Sequence, residues 1–181
     1  MAKQFAEIGD DHRQFIEEQH MFFAGSAAPE GRVNISPKGM DSLRVMGPNR
    51  IVWMNLTGSG NETAGHLIEA NRMTIMWCSF TTRPLILRTY GTARTLHIGD
   101  DGWDDLAALF PAHRSARQIF DMHVDLVQTS CGYAVPFMDY REERDTMQKW
   151  VDVRTDAQLR DYWVEKNTRT IDGKPTGVPE V

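Results

Sequence analysis

The chain has 181 residues, with 20 Lys and Arg against 25 Asp and Glu, a formal net charge of −5 and 41% hydrophobic residues. That length holds one domain, or one domain with a helical appendage, and buries a core without covalent staples. The acidic balance and the absence of a long basic run argue against a nucleic-acid partner, because neutralising a phosphate backbone needs clustered cations. One small phosphate, by contrast, needs only a few local donors. Two cysteines, Cys78 and Cys131, are too few for a secreted disulfide framework. The expectation is two reduced thiols, Cys78 buried in the apolar run 75–78 and Cys131 in a close-packed turn. Met1-Ala2-Lys3-Gln4-Phe5 lacks a signal-type apolar region and no run reaches membrane-spanning length, so a soluble, cytoplasmic protein with no membrane partner is expected.

In chain order, Asp10 and Asp11 are placed to cap a short helix carrying Phe15, Ile16 and Gln19. Segments 21–27 and 32–36 are strand-like and flank Ala28-Pro29-Glu30-Gly31, which predicts a hairpin. Segments 42–46 and 51–55 flank Gly47-Pro48-Asn49-Arg50 and predict a second. Val45, Val52 and Trp53 suit half-buried strands. A polar glycine-rich stretch, 57–63, leads into residues 64–71, where Ala64, Leu67, Ile68 and Asn71 follow helical spacing. Segments 73–80 and 85–97 read as two long strands joined at Thr81-Thr82-Arg83-Pro84, with Gly91 at a bulge or kink. Residues 100–110 read as an amphipathic helix capped by Asp100 or Asp101, and 115–120 as a short helix. Residues 123–129 alternate as a strand and 130–136 form a loop. Two charged helices are expected at 141–151 and 156–168, with a frayed end at 175–181. Strands joined by short turns make a mostly antiparallel sheet, which tends to curl or close. The prediction is a mainly β protein, a small barrel with peripheral α-helices.

The strand–loop–helix segment carries the chemistry. Trp53-Met54-Asn55 runs into Thr57-Gly58-Ser59-Gly60-Asn61-Glu62-Thr63 and then a helix. Glycines admit backbone N–H groups to an anion, Ser59, Asn61 and Thr63 add donors, and the helix start adds partial positive charge. Neither familiar phosphate loop is present: Gly65 is followed by His66 and Leu67 rather than Lys and Ser or Thr, and Thr63 stands where a dinucleotide fingerprint needs its third glycine. The plainer alternative is a helix start capped by Asn61. In Asn34-Ile35-Ser36-Pro37-Lys38-Gly39, Ser36 ends a strand and Pro37 removes a backbone donor where pairing stops. Lys38 then projects toward a phosphate or a flavin ring, or into solvent. Nothing near Cys131 supplies the electropositive setting of a reactive thiol. The six histidines form no metal motif, so no metal site is expected. No Gly-x-Ser-x-Gly elbow supports a hydrolase. No catalytic acid or base is named.

Three stretches, 33–39 (Val-Asn-Ile-Ser-Pro-Lys-Gly), 55–63 and 128–133 (Gln-Thr-Ser-Cys-Gly-Tyr), together with the tail at 165–173, resemble the pyridoxamine-5′-phosphate-oxidase-like FMN-binding split-barrel proteins. The resemblance runs from about His20 to about Gly173. It implies a six-stranded antiparallel split β-barrel over residues 1–140, with a helical tail at 141–181 packed on the barrel or dimer. It also implies a homodimer with FMN sites at the subunit interface. Carried onto this chain, it places the FMN phosphate against Ser59, Asn61 and Thr63. Ser36 and Lys38 would flank the flavin, and Met54 and Asn55 would contact the ring or ribityl chain. The activity implied is oxidoreduction of a small-molecule substrate. Two departures matter. Glu62 and Thr63 stand where the true oxidases open the helix with Arg and Lys, which implies weaker or more selective flavin binding. The Arg-x-His element that grips pyridoxal phosphate is missing, which argues against vitamin-B6 oxidation. Alternative readings are a non-catalytic flavin or haem binder or sensor, and a deazaflavin-dependent reductase, whose longer acidic cofactor would call for more basic residues than the local sequence shows.

Overall fold

The computed structural model describes residues 2–179. A short strand β1 (Lys3–Phe5) and helix α1 (Asp10–Glu17) precede two hairpins, β2 (Phe22–Ser26) with β3 (Asn34–Lys38) and β4 (Leu43–Gly47) with β5 (Arg50–Leu56). Helix α2 (Glu62–Glu69), strands β6 (Met73–Cys78) and β7 (Leu85–His97), helix α3 (Trp103–Ala107) and strand β8 (Ala116–Cys131) follow, then α4 (Thr146–Asp152) and α5 (Asp156–Asn167). The strands form a single sheet in the order β3-β2-β6-β7-β8-β5-β4, with β1 added to β8, and every pairing is antiparallel. The end strands β3 and β4 do not pair with each other, so the curled sheet stays open along one seam: a split barrel. It contains eight strands rather than six among the described residues, the extra ones being short or peripheral.

Both faces of the central strands are covered. Inside the barrel, Phe22, Trp53, Ile75, Trp77, Leu87 and Phe120 pack with Phe15 and Ile16 of α1. On the outer face, Val52, Met54, Leu96 and Ile119 lie under Trp103, Leu106 and Phe110. Each large apolar side chain fully removed from water contributes roughly 1.5–3 kcal/mol. Double coverage also removes the apolar–polar alternation by which a half-exposed strand is read. That is why residues 115–120, expected as a short helix, are instead the start of β8, with Arg117, Gln118, Ile119 and Phe120 all buried.

Other boundaries differ for local reasons. Gly9, not Asp10 or Asp11, caps α1, its N–H donating to His12 Nδ1 at 3.1 Å. The helix expected at 100–110 shrinks to α3 because Asp100 turns back to accept from the His97 N–H, at 2.7 Å, and Gly102 takes φ +84°. Residues 141–145 are not helical, and the tail is not frayed through Pro179: Thr176 and Val178 are buried. Glu180 and Val181 lie outside the described residues. Cys78 is half-buried, and burial raises its thiol pKa; Cys131 sits exposed at the end of β8, not in a packed turn. No helix among the described residues is long and apolar enough to cross a membrane.

Gly91 sits at a bulge, as its position in the long strand predicted: the β7–β8 register shifts between Tyr90 and Gly91. A Cβ there would fall 1.9 Å from the His123 carbonyl oxygen. Gly91→Ala is therefore expected to lower the unfolding free energy by about 2 kcal/mol or more. At Gly47 an added Cβ meets nothing within 4 Å. Gly47→Ala should stay within about 0.5 kcal/mol, and urea denaturation of the two variants measures the contrast.

Candidate functional site

A cavity of about 760 Å³ opens between β3, the loop from β5 to α2, the start of β8 and the C-terminal tail. Ser36, Lys38, Asn55, Ser59, Asn61 and Thr63 all line it, so the fold gathers six of the residues singled out from sequence. Met54 does not: it faces the opposite side of β5, under α3, and its N–H is taken by Ser42 O at 2.9 Å.

The cavity's central cation is Arg117, which lies only 3% exposed. The β5–β8 register passes from Asn55↔Gln118 to Leu56↔Ala116, which leaves Arg117 as the extra residue of a bulge. A bulge re-aims the side chain it carries. Here it turns Arg117 and Gln118 toward the same partner, Asn61. Asn61 Oδ1 accepts from Arg117 Nη2 at 3.0 Å and from Gln118 Nε2 at 2.6 Å. Its amide nitrogen donates to Gln118 Oε1 at 3.2 Å and to Asn167 O at 3.3 Å. Asn61 is thus spent within the protein. It stands at the N-cap position of α2 without a side-chain capping bond, so the plainer reading as a helix cap does not hold either.

Arg117 also donates to Gly60 O at 3.3 Å, while its Nε is buried without a partner. Among the described residues no carboxylate pairs with it, and burial lowers its pKa to about 10. Lys38 shares the cavity, its Nζ 5.3 Å from the Trp53 ring centroid. Burial, and then repulsion from Arg117, lower the Lys38 pKa to about 8. Among the described residues Lys38 has no ion-pair partner. Glu62 lines the cavity too, but both its oxygens accept from the Ile171 N–H, at 3.1 Å. Thr63 Oγ1 is engaged by Ser26 Oγ and Asn34 Nδ2, both at 3.3 Å, and Ser26 continues to His66 Nδ1 at 3.0 Å. Ser36 donates to Asn34 Oδ1 at 3.1 Å. Ser59 is exposed on the loop, at the start of an α2 whose first-turn N–H groups have no partner within the helix.

The tail builds the outer wall. Trp163 Nε1 donates to Thr57 Oγ1 at 2.7 Å, and Asn167 Nδ2 donates to Gly58 O at 3.0 Å. Gly65 lets residues 170–175 lie directly on α2, since a Cβ there would come within 2.4 Å of Thr170 Cγ2. The same wall brings Arg32, Lys166 and Arg169 to the rim, so the cavity is more basic than the local sequence suggested. Arg32 pairs with Asp172 and Lys166 with Glu165, which leaves Lys38 and Arg117 inside the cavity and Arg169 at its rim without an acidic partner among the described residues. Sequence reasoning missed Arg117 because its strand was read as a helix. The available signal was a basic residue shortly before the apolar pair Ile119-Phe120 in a segment too short for a stable helix.

The family model described as pyridoxamine 5′-phosphate oxidase matches residues 8–131. The pyridoxamine 5′-phosphate oxidase family protein ustO of Aspergillus flavus is 30% identical over 189 residues, covering 94% of this chain and 76% of its own. Among solved structures, a variant of HupZ from Group A Streptococcus aligns with TM-score 0.55 at 18% identity, over 68% of this chain and 99% of its own. A candidate pyridoxamine 5′-phosphate oxidase from Lactobacillus delbrueckii aligns with TM-score 0.55 at 15% identity, over 68% of this chain and 94% of its own. The structural likenesses show the fold. The chain belongs to the pyridoxamine 5′-phosphate oxidase family.

The Lys38 shift has a stability consequence. Its folded pKa, about 8, lies below the ordinary value of 10.5, so between these pH values the unfolded chain binds the extra proton. Stability of the ligand-free protein therefore rises with pH across that window. Relative to Lys38→Met, the natural protein should gain up to about 2 kcal/mol between about pH 7 and about pH 9.5, measured by urea denaturation.

Proposed function

We propose that this cavity binds FMN and that the protein is a flavoprotein oxidoreductase acting on a small molecule. The observation that carries the reading is a buried arginine, Arg117, and a half-buried lysine, Lys38, facing one cavity with no carboxylate paired to either among the described residues. A buried uncompensated charge costs several kcal/mol, and a bound dianion removes that cost. The donor set fits a phosphate: the Arg117 guanidinium with its unpartnered Nε, the Ser59 hydroxyl and the first turn of α2. The volume, about 760 Å³, is that of a cofactor pocket.

In this reading Arg117, Ser59 and the α2 amides hold the phosphate, while Asn61 and Thr63 fix the loop rather than touch the ligand. Lys38 and Ser36 flank the ring, and Asn55 offers its amide from the cavity floor. Glu62 is kept off the anion by its bonds to Ile171. When bound, FMN supplies electron transfer, and the chain supplies position and electrostatics. The homodimer is part of the proposal: Val33 and Ile35, at 70% and 69% exposed on and beside edge strand β3, are an apolar surface that a second copy would cover beside the cavity. A haem is disfavoured because no His, Cys, Met or Tyr lines the cavity to serve as an axial ligand. A deazaflavin with a longer acidic extension has only Arg169 at the rim free of an acidic partner, and competition between the two flavins decides.

Concentrated protein dialysed after mixing with FMN should retain the flavin's visible absorption bands. Arg117→Met should weaken FMN binding by about ten- to a hundredfold while circular dichroism stays unchanged. A protein that remains colourless after FMN addition would overturn the proposal. Size-exclusion chromatography with light scattering should give twice the 20.7 kDa chain mass.

A further inference from the structure

A second chamber, of about 770 Å³, adjoins the first and shares Pro37, Lys38, Gly58 and Ser59 with it. Its far wall is the tail, from Tyr140 to Tyr162, which lies beyond the residues 8–131 matched by the family model. Half of its lining residues, Tyr140, Met147, Trp150 and Tyr162, are apolar or aromatic. Trp150 and Tyr162 meet edge to face at 5.1 Å, and Tyr140 stacks on His20 at 3.6 Å. Met21, Met40 and Met147 fill the space between, and methionine adapts to flat ligands.

The charges that line the chamber differ in exposure. Lys38 lies at the partition, half-buried and without an acidic partner. Glu142 and Glu143 are exposed at the mouth, Glu142 paired with Arg141 at 3.2 Å and Glu143 accepting from the Tyr140 hydroxyl at 3.1 Å. Arg144 also lines the mouth. A cation entering the chamber meets the unpaired Lys38. A neutral apolar ligand leaves that ammonium desolvated and unmatched, whereas an anionic oxygen completes it.

We propose that this tail-walled chamber is the substrate site and that it takes a flat aromatic acid, with its ring against Trp150, Tyr162 and Met147 and its anionic oxygen at Lys38. The proposal rests on the FMN reading, because Lys38 and the 57–59 loop are the partition that would put such a ring beside the flavin. It specifies the substrate class of that site by shape and charge.

The test uses the FMN-loaded protein and benzoate as probe, with benzylamine and benzyl alcohol as charge controls and acetate as a ring-free control. Benzoate should perturb the flavin absorption saturably, at least tenfold more tightly than any control. Trp150→Ala should weaken benzoate at least tenfold, with FMN affinity titrated separately on the same variant. Should that variant fail to fold, Met147→Glu, which sets a carboxylate in the chamber, is read the same way. Benzylamine or benzyl alcohol binding as well as benzoate, or benzoate binding unaffected by the variants, would overturn the chamber proposal while leaving the flavin reading intact. Failure of FMN itself to bind would remove both, and the spectrum before any probe is added separates the two outcomes.

Discussion

A guanidinium buried at 3% exposure, with no counter-ion among the described residues, is the constraint on which the site is built. Removing such a charge from water is costly unless fixed dipoles replace the solvent. Here the replacement is a short circuit of neutral groups. Asn61 Oδ1 takes two donors, Gly60 O takes one, and Gln118 and Asn167 hold Asn61 in turn. The members come from three elements: the 57–61 loop, strand β8 and helix α5. The network therefore ties the loop to the barrel and the tail to the loop. Its incompleteness is informative as well. Arg117 Nε and Asn167 Oδ1 are both buried without partners, one a donor and one an acceptor. A native interior leaves few such groups, and those it leaves call for an explanation.

The frame that tolerates this cost is stiff because β5 and β8 are buried on both faces. One face packs Trp53 on Phe120, with ring centroids 4.7 Å apart, and the other packs Met54 and Ile119 under α3. A bulge in such a pair can aim a charged side chain without loosening the strands, since the packing on either side restores the register beyond it. The open seam between β3 and β4 has the opposite character. β3 is an edge strand, and Pro37 within it removes a donor that would otherwise face a new strand. The residues with unspent polar groups, Lys38 and Ser59, lie on this edge and on the exposed loop, where a ligand has access.

What the sequence showed and what it hid separate along this same line. Hairpins bounded by turn residues, the long β7, the Gly91 bulge and the strand–loop–helix were legible, because each is set by local propensity and by residues near in the chain. The resemblance supplied the barrel. Arg117 was hidden because a strand covered on both sides shows no period of two, so a helical reading competed with it. The role of Asn61 was hidden for a different reason. An asparagine before a helix is a cap by local rules, and only partners 57 and 106 residues away, Gln118 and Asn167, take it out of that role. The basic rim was invisible to a reading of local charge, since Arg32, Arg117 and Arg169 come together only through the fold.

The overall charge of the chain, −5, and the charge of its site therefore have opposite signs, and the reason is physical rather than accidental. Surface carboxylates act through water and are screened within about 8 Å at physiological salt. Lys38 and Arg117 act through protein, at lower effective dielectric, and are felt at full strength by whatever enters the cavity. The tail sharpens the contrast. It engages the first carboxylate of α2, Glu62, by offering it the Ile171 amide, and it pairs Arg32 at the rim through Asp172. With Glu62 occupied and Arg32 paired, Lys38 and Arg117, with Arg169 at the rim, set the field. A segment that composition alone marks as a solvated, charged appendage thus helps to set the field of the cavity.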